Sequence, residues 1–258
     1  MTGTTAQREF VTLTQQDGIA VLRLNRPDRL NAASPELVAD FKAALDRAIG
    51  DAAVVVIVTG EGRAFCAGHD LKADTLTPES PEALSHLHNV QNITRVLRSA
   101  SVISIAAVHG YALGAGIEFA LSCDFIVAEE GTMFGFPEVS VGLSVTGGIS
   151  YLLPQAIGLP RAKELILLGE NFGAERALEL GLVNRVTPPG ERLMVAHDLA
   201  QRILALPHHA LALAKESFEV AVRSQVESAM AVEISNALLT GDSTDADMAK
   251  VVFAGKGQ

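Results

Sequence analysis

The chain of 258 residues has only two cysteines, Cys66 and Cys123. That is too few for a disulfide framework. Both sit among small or apolar residues, where a free cysteine is commonly buried and behaves as a small hydrophobe. A reducing cytoplasm is the expected compartment. No apolar run reaches the roughly 18 residues that would read as a membrane-spanning helix. The first ten residues, MTGTTAQREF, lack the basic-then-apolar order of a secretory signal and the arginines of a transit peptide. No membrane partner is therefore expected. Basic residues are scarce: 20 Lys and Arg stand against 30 Asp and Glu, a formal net charge of −10. Nucleic acid is excluded as a general partner, because such a surface needs a basic patch. A local basic pocket for an anionic ligand remains open. Familiar catalytic signatures are missing too. No GK[ST] follows the glycines, and there is neither a GxSxG elbow nor an HExxH pair. His208 and His209 have no metal-ligand spacing to other candidates, so no metal is expected.

What is present is a core-forming chain, 48% apolar and 19% charged. Residues 9–25 read as a hairpin, two β-rich runs around a Gln-Gln-Asp-Gly turn. Ser34 followed by Pro35 marks a helix start, and Leu37, Phe41, Ala44, Leu45 and Ala48 would share its buried face. Residues 54–59, VVVIVT, suit a strand buried on both faces; a glycine turn, GEGRAFCAGHDLK, follows. Residues 74–81 read as a surface loop, and 82–98 as a second helix begun by Ser80 and Pro81. Strand and glycine turn alternate with helix as far as about residue 150, which is α/β organisation with parallel pairing. Beyond it the pattern turns helical, over 191–206, 208–223, and from a Ser224–Glu227 capping box to about residue 239. A last short helix is expected over 244–253.

The chain is organised around residues 102–124, VISIAAVHGYALGAGIEFALSCD. An apolar β-branched run leads into glycines at 110, 114 and 116 and then a helix start. Such a turn leaves backbone N–H groups open to a negative oxygen. The segment invites a dinucleotide-binding reading, but Phe119 occupies the third glycine position and the next strand follows too soon for a crossover helix. Glu118 lies in this apolar helix, where an acid is costly without a task or a partner. Glu138 follows a second glycine-rich turn. Two carboxylates in one apolar pocket can hold different protonation states and divide the roles of acid and base. Asp124, like the histidine at 109, reads as structural; Asp70 reads as a turn or cap carboxylate.

These segments, in this order, resemble the crotonase (enoyl-CoA hydratase/isomerase) superfamily over nearly the whole chain. The resemblance rests on NRPDRLNA (25–32), AFCAGHDL (64–71), AAVHGYALGAGIEFALSCDFIVA (106–128), FGFPEVSVGL (134–143) and AERALELGLVNRV (174–186). It implies an α/β fold, a spiral of ββα turns over residues 1–190, followed by a C-terminal helical region, 191–258, that packs homotrimers or homohexamers. It implies an acyl-CoA thioester whose carbonyl oxygen lies between the backbone N–H groups of His69 and Ala115. Ala115 stands where the family has a glycine, which suits a backbone donor while its φ stays negative. Glu118 and Glu138 would be the catalytic acids. Arg26, Arg29, Leu30, Ala67, Gly68, Asp70, Leu71 and Gly114 would contact substrate or its coenzyme A. No separate cofactor is implied, since coenzyme A is part of the substrate. Retention of both acids favours an enoyl-CoA hydratase; an isomerase that moves the double bond, or a non-catalytic acyl-CoA-binding protein, are the alternatives.

Overall fold

The computed structural model describes residues 9–70, 80–99, 101–241, 243, 244 and 248. Strands β1 (Val11–Gln16) and β2 (Ile19–Leu24) form the expected hairpin. Its turn is tighter than QQDG. Gln15 and Gln16 stay in the ladder, and Asp17 and Gly18 turn the chain at φ 50° and 80°, as a two-residue hairpin loop requires. Helix α1 (Pro35–Gly50) begins where Ser34 Oγ accepts the Leu37 N–H at 3.3 Å. This satisfies one of the donors that a helix start leaves open. The expected face is buried, with Val38 added; Phe41 and Leu45 each contribute about 2 kcal/mol by leaving water.

Strand β3 (Val55–Gly60) precedes α2 (Pro81–Ser99), whose start is capped by Ser80 Oγ accepting from Ala83 N–H. Next come β4 (Ile103–Val108), β5 (Tyr111–Leu113), α3 (Ala115–Leu121), β6 (Phe125–Glu129) and β7 (Met133–Gly135). Then follow α4 (Ile149–Ile157), α5 (Leu159–Leu168), β8 (Phe172–Gly173), α6 (Ala174–Leu180), β9 (Arg185–Thr187), α7 (Arg192–Leu204) and α8 (His208–Gly241). The larger sheet has the order β1-β2-β3-β4-β6-β9, parallel from β2 onward. Strands β3 and β4 are buried along their full length. Side chains alternate across a strand, so Val56, Val58, Ala106 and Val108 join the core with α1 and α2. Val55, Ile57, Ile103, Ile105 and Ala107 join a second core with Ala196, Leu199 and Ile203 of α7.

The glycine turns of the sequence reading hide two short strands. β5 and β7 pair in parallel, β8 pairs antiparallel with β7, and together they make a second, smaller sheet. Three residues are too few for a period-2 signal to register. Gly110 thus lies between β4 and β5, and Gly131 between β6 and β7, one strand for each sheet before the next helix: the mixed α/β, ββα architecture that the resemblance implied.

The break expected at Ser224 does not occur, because α8 runs unbroken through it. A capping Ser must itself sit outside the helix. Here the Ser224 carbonyl accepts the Ser228 hydroxyl at 2.9 Å, and Glu227 reaches across to Arg95 of α2 at 2.8 Å. Helix α8 is moored at several points. Lys215, 7% exposed, donates to the carbonyls of Leu97 and Val102 and to Asp124 at 2.6, 2.9 and 2.8 Å. Gln91 Nε2 donates to the Met230 carbonyl at 2.9 Å. The helix expected over 244–253 falls almost wholly outside the described residues, as does the loop at 74–79. Among the described residues no helix is long and apolar enough to cross a membrane.

Candidate active site

The first wall is the loop between β2 and α1. Leu30 and Asn31 both take positive φ, 51° and 56°, a conformation that costs a branched residue such as Leu roughly 1–2 kcal/mol. Asn31 offsets this. Fully buried, it accepts the Arg26 N–H and donates to the carbonyls of Glu61 and Ala64 at 2.9 and 2.7 Å. The loop is thereby tied to residues 61–64. The Leu30 carbonyl accepts Ala67 N–H, and the Gly68 carbonyl accepts Ala33 N–H at 2.8 Å. The C=O and N–H of one planar trans peptide point in opposite directions. The His69 amide thus points away from the bond made at Gly68, and among the described residues it donates no hydrogen bond.

The second wall is the turn between β5 and α3. Gly114 has φ 51° and ψ −124°, and a Cβ there would lie 2.9 Å from Glu138 Oε1. Only glycine meets both demands. A Cβ at Gly116 would lie 2.0 Å from the Cys66 carbonyl oxygen, so α3 rests directly on the first wall. Between them Ala115 is helical with no positive φ, and its methyl group is fully buried. Ala115 opens α3, whose first backbone bond runs from Glu118 N–H to the Gly114 carbonyl. The Ala115 N–H therefore lies outside the helical ladder.

The two acids are near neighbours with different surroundings. Glu118 is 1% exposed; its Oε1 accepts Thr146 N–H at 2.8 Å and its Oε2 accepts Thr146 Oγ1–H at 2.6 Å. Glu138 is 6% exposed, and among the described residues its Oε2 has no hydrogen-bond partner. Burial raises both carboxyls above the ordinary carboxylate range, because it penalises the charged form. The charge of Glu138 raises Glu118 further, while the two bonds from Thr146 pull it back. The His69 imidazole, edge-on to His86 at 5.7 Å, is driven down by burial to about 4 and is neutral near pH 7.

A cavity of about 520 Å³ brings together Arg29, Leu30, Ala67, Gly68, His69, Asp70, Gly114 and Glu138. Glu118, Ala115 and Arg26 are not among its lining residues. Arg26 lies to the side, bonded to Asp70 and to the Ala32 carbonyl; Leu71 is outside the described residues. Asp124 and His109 are held as structural groups, the first by Ser104 and Lys215, the second by the Gly62 carbonyl. Sequence reasoning passed over Asn31, Arg63, Thr146 and Asn171. Arg63 and Asn171 line the cavity. Asn31 carried a usable signal, since Asn tolerates the left-handed region better than most residues. Thr146 carried none, because its link to Glu118 spans 28 residues.

The sequence profile described as enoyl-CoA hydratase/isomerase matches residues 14–258. The crotonyl-CoA hydratase of Syntrophomonas wolfei is 34% identical over 227 residues, covering 87% of each chain. The 4-chlorobenzoyl coenzyme A dehalogenase-2 of an Arthrobacter species is 30% identical, over 88% of this chain and 84% of its own. Among solved structures, an enoyl-CoA hydratase from Mycobacterium avium subsp. paratuberculosis superposes with a TM-score of 0.87 at 27% identity, covering 96% of both chains.

Proposed function

The chain belongs to the enoyl-CoA hydratase/isomerase family, and from that premise we propose that it adds water reversibly to a trans-2-enoyl-CoA, giving a 3-hydroxyacyl-CoA. The observation that carries this reading is the pair of buried, electrostatically linked acids, of which Glu138 lines the cavity together with His69, beside two backbone amides that are unengaged among the described residues. The thioester oxygen lies between the N–H groups of His69 and Ala115. Charge grows on that oxygen as the enolate forms, and fixed amide dipoles stabilise it without reorganising; each donor is worth roughly 3 kcal/mol of barrier. Glu118 takes a proton from the water that attacks the β-carbon, and Glu138 delivers one to the α-carbon. Carboxyls raised toward neutrality suit both transfers, since a catalytic pKa works best near the operating pH.

Coenzyme A enters as part of the substrate, with Arg29 and Arg63 at the cavity as the cationic groups for its phosphates. The chemistry needs no further cofactor. Assembly as a trimer or hexamer belongs to the same reading, supported by the apolar side chains that α8 exposes, such as Phe218 and Leu239. A reducing cytoplasm is supported by two free thiols, Cys66 and Cys123.

One observation favours a second reading. Glu138 lines the cavity with an oxygen that has no partner among the described residues, whereas both Glu118 oxygens are engaged by Thr146. A single proton shuttle at Glu138 would move a double bond rather than add water. A panel of enoyl-CoAs of different length, branching and ring content separates the two. Hydration removes the conjugated-thioester absorbance and gives a 3-hydroxyacyl-CoA by mass spectrometry. Double-bond migration without gain of water supports the isomerase. Binding with no turnover of any substrate leaves an acyl-CoA-binding protein.

A further inference from the structure

Helix α8 carries a buried acid that no step above uses. Glu233 is 2% exposed, and its carboxylate accepts three donors: Gly148 N–H at 2.7 Å, Ser150 N–H at 2.8 Å and the Ser150 hydroxyl at 2.7 Å. These donors form the first turn of α4, whose N-cap is Gly148 and which has no side-chain cap of its own. An acceptor on such a turn satisfies orphan amides and complements the positive end of the helix. The turn continues directly into the residue that holds Glu118. Thr146 makes both bonds to the Glu118 carboxylate, and a Cβ on Gly147 would lie 3.1 Å from Glu118 Oε2. From the other side α8 packs tightly: a Cβ on Gly148 would lie 3.1 Å from Val226 and 3.3 Å from Met230. An unbroken line of hydrogen bonds and contacts thus runs from α8 to the catalytic carboxylate.

We propose that Glu233 is a positioning residue for Glu118: by fixing the turn at 146–150 it holds the two Thr146 donors on that carboxylate and so sets its proton affinity. The inference rests on the hydratase reading for its kinetic consequence, though not for its titration. Thr146 stabilises the charged form of Glu118, so releasing Thr146 raises the pKa of Glu118. The charge of Glu233 acts in the opposite sense. It already raises Glu118, so simple loss of that charge would lower it. Among the described residues the remaining titratable neighbours are Glu138, which also raises Glu118, and Cys66, whose thiol burial pushes up to about 12 and keeps neutral. Positioning and plain electrostatics therefore predict shifts of opposite sign for Glu233→Gln.

The test compares Glu233→Gln, Thr146→Val and Glu227→Gln with wild type. The last breaks the exposed Arg95–Glu227 pair between α2 and α8 without touching the turn. Expected for Glu233→Gln and Thr146→Val is a fall in kcat of about tenfold or more, the scale of a lost hydrogen bond to a charged group. KM stays within about twofold, and the acidic limb of the kcat/KM profile moves to higher pH. Glu227→Gln leaves all three unchanged. The proposal is overturned if Glu233→Gln moves the limb to lower pH, leaves kcat at the wild-type value, or is reproduced by Glu227→Gln. Infrared titration of the Glu118 carboxyl in unliganded protein, assigned with Glu118→Gln, makes the outcome independent of turnover. If wild type hydrates nothing but the carboxyl band titrates at higher pH in both variants, positioning stands and the hydratase reading falls. If the band does not move in either, positioning falls whatever the enzyme does.

Discussion

Glu118 and Glu138 occupy two ends of one problem, how to keep an acid buried and still useful. Glu118 has both oxygens bonded to a single residue, Thr146, and is fixed in direction. Glu138 has one oxygen without a partner among the described residues and lines the cavity, packed close to the bare backbone of Gly114. Burial penalises both charges; two donors from Thr146 offset it at Glu118, and a backbone N–H offsets it at Glu138. The difference teaches that the pair is not symmetric. One acid is orientated by the protein, and the other keeps an oxygen without a partner among the described residues.

The comparison is tested most severely by removing each acid in turn. Glu138→Gln is expected to lower kcat about a thousandfold, within the range of a lost general acid, while acyl-CoA affinity by calorimetry stays within a few-fold. Glu118→Gln is expected to cost about a hundredfold in hydration; if it leaves hydration at the wild-type rate, the two-acid mechanism is wrong. Gly114→Ala forces a Cβ onto Glu138 Oε1 at a positive φ. We expect a loss of about 1–2 kcal/mol in denaturant stability and a defect in kcat that follows Glu138 rather than Glu118.

A gentler probe uses pH. The folded-state pKa of each acid is raised above its unfolded value. Their contribution to stability is therefore full below the unfolded pKa and is lost as pH rises through the folded one. Measured by thermal unfolding, Glu138→Gln should become more stable relative to wild type as pH rises from 5 to 8 (values set by the ordinary and raised carboxylate ranges), by on the order of 1 kcal/mol. Glu118→Gln should gain at least as much with rising pH, since its carboxyl is raised further, but from a lower starting stability, because the Thr146 donors that suited a carboxylate then meet an amide. The smallest effect concerns the rim. Arg29→Ala should raise KM by about threefold to tenfold with kcat unchanged. Arg26→Ala should instead act on stability, because it removes a cationic partner from Asp70, whose side chain is 7% exposed in that pair.

Much of this was legible in the chain itself. Val55–Gly60 and Ile103–Val108 announce themselves as buried strands because an unbroken β-branched run has few other places to go. Ser34 and Pro35 mark a helix start for purely local reasons. The order of glycines and acids then locates the cavity walls, and Gly114, His69 and Glu138 do meet there. The errors have a common origin. Tyr111–Leu113 and Met133–Gly135 were missed because a three-residue strand has no period of its own and exists through its neighbour. Ser224 and Glu227 look like a capping box, yet packing of α8 along α2 offered Glu227 a better partner in Arg95 and kept the helix unbroken.

Local chemistry, written residue by residue, determined where strands, helix starts and glycine turns fall, and which acids stand beside them. The tertiary structure alone decided how those acids differ. Thr146 lies 28 residues from Glu118, and Glu233 lies 85 residues from Gly148. A bond across such a distance leaves no periodic trace in the chain, because its partners are selected by packing rather than by spacing.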